Sequence, residues 1–164
     1  MTYDNENKRP PITEEKALAR MMRICARKEY CTHDIYQKLY QLKLDEEAID
    51  RIITQLHENK FIDDLRFTRS YINDKLRFTK WGKVKITHHL RHKRVPDKII
   101  NEAFEEFNDE QLTEALEPLL IKRLKTVKGD SDYDKRNKVI RYALGRGFEM
   151  GDILNTLDQL QKEE

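Results

Sequence analysis

Residues 35–56 read IYQKLYQLKLDEEAIDRIITQL, and apolar side chains recur in them at steps of four, five, five, four and three. The same steps return 51 residues later, in residues 86–107, and 53 residues after that, in residues 139–160. Because a pattern that repeats at such a distance marks one supersecondary unit, the chain is predicted to be an array of three units. The recurring positions are Ile35, Leu39, Leu44, Ile49, Ile53 and Leu56; Ile86, Leu90, Val95, Ile100, Phe104 and Phe107; and Val139, Ala143, Phe148, Ile153, Leu157 and Leu160.

The steps within each copy predict two helices joined by a tight turn. Steps of four and three place side chains on one face of a helix, whereas a step of five does not and therefore marks a turn. The residues near these turns agree with this interpretation. Asp45 can cap the helix that follows it, and Pro96 suits a first helical position, where its missing N–H is not needed. Gly145 and Gly147 are typical of the end of a helix.

A further helix is predicted ahead of each pair, over residues 13–28, 64–78 and 109–127. Thr13 is the expected cap of the first, and Pro118 is expected to kink or split the third. Since no window alternates apolar and polar residues over the length of a strand, no sheet is expected. The predicted fold is all-α, an elongated tandem array of three helix-turn-helix-like units with nine helices. The predicted domains are a disordered leader, 1–12, and three-helix units at 13–60, 61–108 and 109–164.

Composition favours a cytoplasmic protein without a membrane segment. No apolar run approaches the length of a membrane span, and the first residues lack the basic and apolar regions of a signal peptide. Cys25 and Cys31 are the only cysteines, and Cys25, on an apolar helical face, is expected to be a buried reduced thiol. No ligand set for zinc surrounds them, so neither a metal nor a cofactor is expected.

Charge is strongly segregated along the chain, although the net charge is only +2. Residues 75–96 contain eight basic residues, three histidines and no acid, and residues 97–117 contain eight acids against Lys98 alone. Residues 122–146 are basic again. Such blocks indicate separate faces for separate partners, although opposite blocks could also pair with each other.

The repeat alignment places matching cations on the middle helices of units two and three. Lys83, Lys85 and Lys93 align with Arg136, Lys138 and Arg146, whereas unit one has Thr32, Asp34 and Leu42 there. With Ile86 and Leu90 facing inward, helical geometry turns Lys85, His88, Arg91 and His92 outward. The pattern indicates an anionic partner, either nucleic acid or an acidic protein surface.

Sequence-specific reading of DNA and catalysis both find little support. The third helices open with acids, Asp45, Asp97 and Asp152 among them, which suit the helix dipole but repel phosphate. The sequence contains no glycine-rich phosphate loop and no nucleophile elbow. His88 and His92 lie one helical turn apart, but no nearby acid supplies a third metal ligand. No catalytic residue and no enzymatic activity are expected.

The segment Phe61-Ile62-Asp63-Asp64-Leu65-Arg66-Phe67, with Tyr71 one turn on, resembles the signature of the RecX regulators of the RecA recombinase. Gly82, Ile86 and Leu90 are similar to a Gly-x-x-x-Ile-x-x-x-Leu stretch of that family, and Arg146-Gly147-Phe148 resembles its third-unit turn. The resemblance covers about residues 14–161. This chain departs from it at Lys43 and Arg94, where the family usually has glycine, and at His89, where it often has an acid.

The resemblance implies a non-catalytic regulator that binds along the groove of the RecA–DNA filament. Such a protein inhibits strand exchange, ATP hydrolysis and co-protease action, and so affects homologous recombination, DNA repair and the SOS response. Family members can also touch single- or double-stranded DNA, and a monomer is expected. The alternative is a sequence-independent nucleic-acid-binding module. The candidate partner-binding residues, chosen from the motif and from charge, are Asp64, Arg66, Lys83, Lys85, Arg91, Lys138 and Arg141.

Overall fold

The computed structural model describes residues 10–163, and these residues form α-helices and short turns without a β-strand. This confirms the all-α class. The predicted leader, residues 1–12, lies largely outside the described residues. A π-helical turn, Lys75–Thr79, follows the fourth helix. The helices are α1 (Glu14–Cys25), α2 (Thr32–Gln41), α3 (Glu46–Glu58), α4 (Asp64–Asp74), α5 (Lys83–His92), α6 (Asp97–Phe104), α7 (Asp109–Thr113), α8 (Leu116–Thr126), α9 (Asp132–Gly145) and α10 (Met150–Lys162).

The chain divides into two compact units, Met1–Asp64 and Leu65–Glu164. The first contains α1 to α3, and the second contains α5 to α10 with all but the first residue of α4. Each of the last two copies of the sequence repeat lies in the second unit. The finer division into three three-helix units, and their elongated arrangement, stay predictions.

The first unit buries one face of each of its helices. Helix α3 packs against both α1 and α2. On α3 the buried residues are Ala48, Ile49, Ile52 and Leu56, while Ile53 is half-buried. The repeat placed Ile53 on the inner face, and Ile53 does pack against this core, although Ile52 is the more deeply buried. At about 100° per residue the two lie equally far from the line through Ile49 and Leu56, on opposite sides of it, so helical spacing alone does not choose between them. The core of this unit is Ala17, Met21, Ile35, Leu39, Ile49, Ile52, Leu56 and Ile62.

The second unit buries nearly all the recurring apolar positions of the second and third copies. Phe107 and Leu160, at the ends of the two copies, are half-buried. Helix α8 packs against α9 and α10, and α5 packs against α6. The buried recurring residues are Ile86, Leu90, Val95, Ile100 and Phe104, and Val139, Ala143, Phe148, Ile153 and Leu157.

The two predicted side-chain caps are confirmed. The backbone N–H of Lys16 donates to Thr13 Oγ1 over 3.2 Å, and the N–H of Ala48 donates to Asp45 Oδ1 over 2.8 Å. Each bond satisfies a donor that the first turn of a helix would otherwise leave without a partner. The sequence therefore sets the beginnings of α1 and α3 locally.

Of the two proline predictions, one needs correction. Pro96 is the residue before α6, whose first helical residue is Asp97, so the predicted beginning of this helix was one residue too early. The break expected from Pro118 is found. The predicted helix over 109–127 is divided at Glu114 and Ala115, and Glu114 is the residue four positions before Pro118, whose carbonyl the proline cannot bond and would clash with in a continuous helix. The described residues therefore hold ten α-helices instead of nine.

Two further expectations were only partly right. The helix predicted over 64–78 is α-helical to Asp74 and continues as the π-helical turn. Cys25 is half-buried, whereas Cys31 is buried and caps α2 through a 3.5 Å contact between its Sγ and the N–H of Asp34. The cap explains this burial, because it places the thiol against the start of a packed helix.

The turns between the last two helices of each copy share one backbone conformation. Lys43, Arg94 and Gly147 occupy equivalent positions in the repeat and have φ values of 61°, 55° and 95°. This left-handed region favours glycine, and a side chain there costs about 1–2 kcal/mol. The departures from the family pattern at Lys43 and Arg94 therefore keep the turn geometry and lower its stability.

A close contact between two glycines joins α5 to the turn between α9 and α10. The N–H of Gly82 donates to Arg146 O over 2.8 Å, and the N–H of Val84 donates to Gly147 O over 3.0 Å. A Cβ on Gly82 would lie under 3.0 Å from backbone atoms of Gly147, and one on Gly147 would lie under 3.0 Å from Lys85. Only glycine therefore permits this approach.

Replacing Lys43 or Arg94 by glycine is expected to stabilise the protein by about 0.5–1 kcal/mol each. The change removes the cost of a left-handed side chain, which exceeds the added backbone entropy of glycine in the unfolded chain. Urea denaturation followed by circular dichroism measures the effect. Gln37→Gly, at an exposed position inside α2, is the control and should destabilise by about 1 kcal/mol. Equal losses for all three variants would contradict the turn assignment.

Gly82→Ala is expected to destabilise the second unit by about 1–3 kcal/mol, because the added methyl group must push two backbone segments apart. Gly145→Ala is the matched control. A Cβ at Gly145 meets nothing within 4 Å, and alanine suits the last turn of α9. Thermal unfolding of both variants tests this, and similar midpoints for the two would show that the Gly82 contact does not limit stability.

Candidate partner-binding surface

Helix α5 begins without a capping side chain. Gly82 precedes its first residue, Lys83, and the first turn contains no acid. The turn between α9 and α10 takes the place of a cap, because Arg146 O and Gly147 O accept the N–H groups of Gly82 and Val84. Cations near a helix N-terminus oppose the helix dipole. The backbone contact thus helps explain how α5 can begin with two lysines in its first three residues.

The outward turn predicted for the cations of α5 is largely confirmed. His88, Arg91 and His92 are exposed, while Ile86 and Leu90 are buried. Lys85 is only half-buried rather than fully outward, because it lies over the Trp81 ring with its Nζ 4.7 Å from the ring centroid.

A cluster of cations surrounds Trp81. Besides Lys85, Lys75 lies over the indole, with its Nζ 4.6 Å from the ring centroid. The His89 ring is stacked at an angle on the same side chain, with 4.5 Å between the centroids. Such cation–π contacts hold lysine heads near an aromatic surface while part of their charge stays available. Sequence reasoning missed Trp81, although the only tryptophan of the chain within its most basic stretch was a usable signal.

The His89 pKa is lowered from its usual value. Partial burial is the main cause, and the neighbouring His88, Lys85, His92 and Lys75 add repulsion. His88 and His92 are close enough for their Nε2 atoms to lie 3.2 Å apart. The described residues contain no group of three or more His, Cys, Asp or Glu side chains that could hold a metal.

Two of the candidate cations on α5 already have partners. Arg91 forms an exposed ion pair with Asp97, with 2.8 Å between Nε and Oδ1. Lys83 is exposed and places its Nζ 5.1 Å from the Phe104 ring centroid. Exposed ion pairs contribute little to stability, so an anionic partner could replace Asp97 at small cost.

The candidates on α9 differ from one another. Lys138 donates to Lys128 O over 2.9 Å and pairs with Asp134 Oδ2 over 3.1 Å. The hydrogen bond from Lys138 is the main cause that lowers the pKa of Asp134, and the bond from the backbone N–H of Asp130 adds to it. Arg141 is exposed on the same helix. The alternative in which opposite charge blocks pair with each other therefore holds for Arg91 with Asp97, whereas Lys138 pairs with an acid of its own block.

Asp64 has a structural task in the first unit. Its carboxylate accepts the N–H of Thr32 over 2.8 Å and the hydroxyl of Thr32 over 3.0 Å. The same hydroxyl lies 2.9 Å from His57 Nε2. Asp64 thereby holds the beginning of α2 within the first unit. Arg66 is half-buried on α4, in the second unit.

The candidates thus separate into groups. Lys83, Lys85 and Arg91 share α5, Lys138 and Arg141 share α9, and Asp64 belongs to the other compact unit. The aligned Arg146 is structural, since its guanidinium donates to the Thr79 carbonyl. Sequence alignment of the repeats therefore found equivalent positions with different tasks.

Acidification is expected to destabilise the protein through His89. Its pKa is lower in the folded chain than the value of about 6.5 in the unfolded chain, so the unfolded state binds more protons between the two values. The free energy of unfolding should fall as the pH drops through this window. Urea denaturation at about pH 7.5 and pH 5.5 measures the slope, above the range where carboxylates titrate.

His89→Gln should flatten this pH dependence, and Lys85→Met should reduce it in part by removing one repelling cation. An unchanged slope in His89→Gln would assign the effect to another group.

Comparisons with known proteins find the same helical domains in one family. Residues 63–103 match a family model described as the second three-helix domain of RecX, and residues 109–157 match its third three-helix domain. The regulatory protein RecX of Prosthecochloris aestuarii is 32% identical over 145 residues, which cover 88% of this chain and 93% of the relative. That of Clostridium acetobutylicum is 33% identical over 134 residues, or 79% of this chain and 62% of the relative.

Solved structures share the fold. The crystal structure of RecX from Lactobacillus salivarius superposes with a TM-score of 0.82 at 23% identity, covering 90% of this chain and 96% of that one. A second RecX crystal structure also has a TM-score of 0.82, at 24% identity, covering 88% of this chain and 73% of that one. No helix among the described residues has the length and apolar character needed to span a bilayer.

Proposed function

We propose, because this chain belongs to the RecX family of regulatory proteins, that it binds along the RecA–DNA filament and inhibits the recombinase. In this role it lowers strand exchange, ATP hydrolysis and co-protease action, and so limits homologous recombination and the SOS response during DNA repair. It acts in the cytoplasm as a monomer, by binding alone, without a catalytic residue or a cofactor.

The exposed cations of α5 and α9 are the observation that carries this proposal. Residues 75–96 contain no acid, and the buried Ile86 and Leu90 leave the basic residues of α5 on its outer side. A filament of protein wound on DNA offers anionic phosphates and acidic side chains. Electrostatic complementarity of this kind speeds association and orients the partner.

The glycine contact supports binding to a repeating partner. The hydrogen bonds from Gly82 and Val84 hold the beginning of α5 against the turn after α9. Cations on the two helices are thereby kept at one spacing. When two linked contacts engage one partner, the second forms at a high effective concentration, and the overall affinity exceeds that of either contact. Contacts with neighbouring recombinase subunits would use this advantage.

Sequence-independent DNA binding is the second candidate function. The same cations favour it, because phosphate contacts need charge but no base recognition. Major-groove reading by α6 or α10 is disfavoured. Asp97 lies in the first turn of α6, and Glu149 and Asp152 lie at the beginning of α10, where a recognition helix would approach phosphate.

The expected result is inhibition of DNA-dependent ATP hydrolysis by the cognate RecA, at ratios of protein to recombinase near or below one. Lys83→Glu combined with Arg141→Glu should raise the half-inhibiting concentration about tenfold, because both reversed charges are exposed on the proposed surface. A titration of RecA-catalysed ATP hydrolysis on single-stranded DNA gives both values.

Lys98→Glu is the matched control, since it reverses an exposed charge on α6 outside the proposed surface. It should leave inhibition within about twofold of the starting protein. Direct binding of DNA is measured in parallel at several salt concentrations. No inhibition over the whole titration, together with tight and salt-sensitive DNA binding, would replace the proposal by the second candidate.

A further inference from the structure

The second unit contains a groove of about 900 Å³ that the proposed function does not use. It runs between the π-helical turn, the segment from α6 to α8, and α9. None of the candidate residues Lys83, Lys85, Arg91, Lys138 and Arg141 lines it. The groove is thus separate from the surface assigned to the filament.

The rim of the groove is strongly cationic. Five basic side chains line it against a single carboxylate, that of Glu114. Among the described residues, neither Lys80 nor Lys122 forms an ion pair within 4.0 Å. Like charges gathered around a concave surface create a potential that attracts anions. The basic residues are Arg77, Lys80, Lys122, Arg123 and Arg146.

Apolar side chains line the groove between these cations. Leu76, Leu119 and Pro118 supply aliphatic surface. The Phe78 side chain is 75% exposed and that of Tyr142 is 38% exposed, which is unusual for rings beside a packed core. Exposed apolar surface with a polar rim is typical of a binding site for another protein.

Two arginines are held against the exposed rings. The Arg123 guanidinium lies 4.6 Å from the Tyr142 ring centroid, and that of Arg77 lies 6.0 Å from the Phe78 ring centroid. A guanidinium placed over a ring can still use its N–H groups for paired hydrogen bonds to a carboxylate. The ring and the cation together present an apolar and a charged contact side by side.

The aliphatic surface favours a protein segment over single-stranded nucleic acid. Grooves for single strands rely on aromatic faces on which successive bases stack, and Leu76, Pro118 and Leu119 cannot act in that way. Arg123 also covers one face of Tyr142, which leaves that face unavailable for stacking with a base. An acidic segment with interspersed apolar side chains matches both the rim and the apolar lining.

We propose that this groove binds an acidic segment of a partner protein, with its carboxylates on the basic rim and its apolar side chains against Leu76, Phe78 and Leu119. The binding mode is that of an amphipathic segment laid in a groove. The site requires neither the recombinase nor DNA. A test of the groove can therefore fail or succeed independently of a test of the proposed function.

The test measures fluorescence anisotropy of a labelled peptide of about 12 residues, with Glu and Leu at helical spacing, against the full chain. Lys122→Glu should weaken binding about tenfold by reversing a rim charge, and Phe78→Ala should weaken it several-fold by removing apolar contact. Both side chains are exposed, so thermal unfolding should be nearly unchanged. Lys125→Glu is the matched control, because it reverses an exposed charge on the same helix, α8, outside the groove lining.

The competing probes are the same peptide with Ser in place of Leu and an oligothymidylate of similar length. Weak binding of the Ser peptide and a retained affinity in Lys125→Glu would support the proposal. Equal affinity of the two peptides, equal losses in Lys122→Glu and Lys125→Glu, or no binding of the acidic peptide would overturn it. Displacement of the peptide by oligothymidylate, with the same sensitivity to Phe78→Ala, would assign the groove to nucleic acid instead.

Discussion

The close approach of Gly82 and Gly147 is the constraint on which the second compact unit depends. Two backbone segments meet there, and each Cα leaves no room for a side chain. The contact lets carbonyls of the turn between α9 and α10 accept the first N–H groups of α5, so α5 needs no capping side chain. It also explains why only the third of the equivalent turn positions is glycine. Lys43 and Arg94 adopt the same left-handed backbone, but Gly147 must in addition admit Lys85 at close range.

This contact determines where charge can gather. With its beginning held by backbone atoms, α5 carries Lys83 and Lys85 at an end where cations are normally unfavourable. Trp81 then collects Lys75, Lys85 and His89, and this crowding of positive charge lowers the His89 pKa further than burial alone. The same tertiary arrangement brings the π-helical turn near α8 and α9, and so creates a groove whose cations are distinct from those of α5. One unit thus presents two basic surfaces with different apolar surroundings.

The helices could be predicted because their signals are local. Apolar spacing located α2, α3, α5, α6, α9 and α10, and the caps at Thr13 and Asp45 needed only residues within one turn. Errors arose where local signals were ambiguous. Adjacent Ile52 and Ile53 both suit an apolar face, and Pro96 suits the residue before a helix as well as its first residue. The site was less predictable, because Asp64 and Lys138 have the charge of binding residues but are held by Thr32 and by Asp134 with the Lys128 carbonyl.

By itself the sequence determined the all-α class, the repeated pair of helices and the segregation of charge, since each follows from the order of residue types along the chain. The RecX resemblance also lay in short motifs that can be recognised without coordinates. Only the tertiary structure decided which cations are already paired, which rings remain exposed and which residues line the groove. Arg77 lies in the π-helical turn, and Lys122 and Arg123 lie more than 40 residues later on α8. Their common surface exists only because these segments come together in the second unit. Side-chain contacts between distant segments depend on that packing, and no local pattern encodes them.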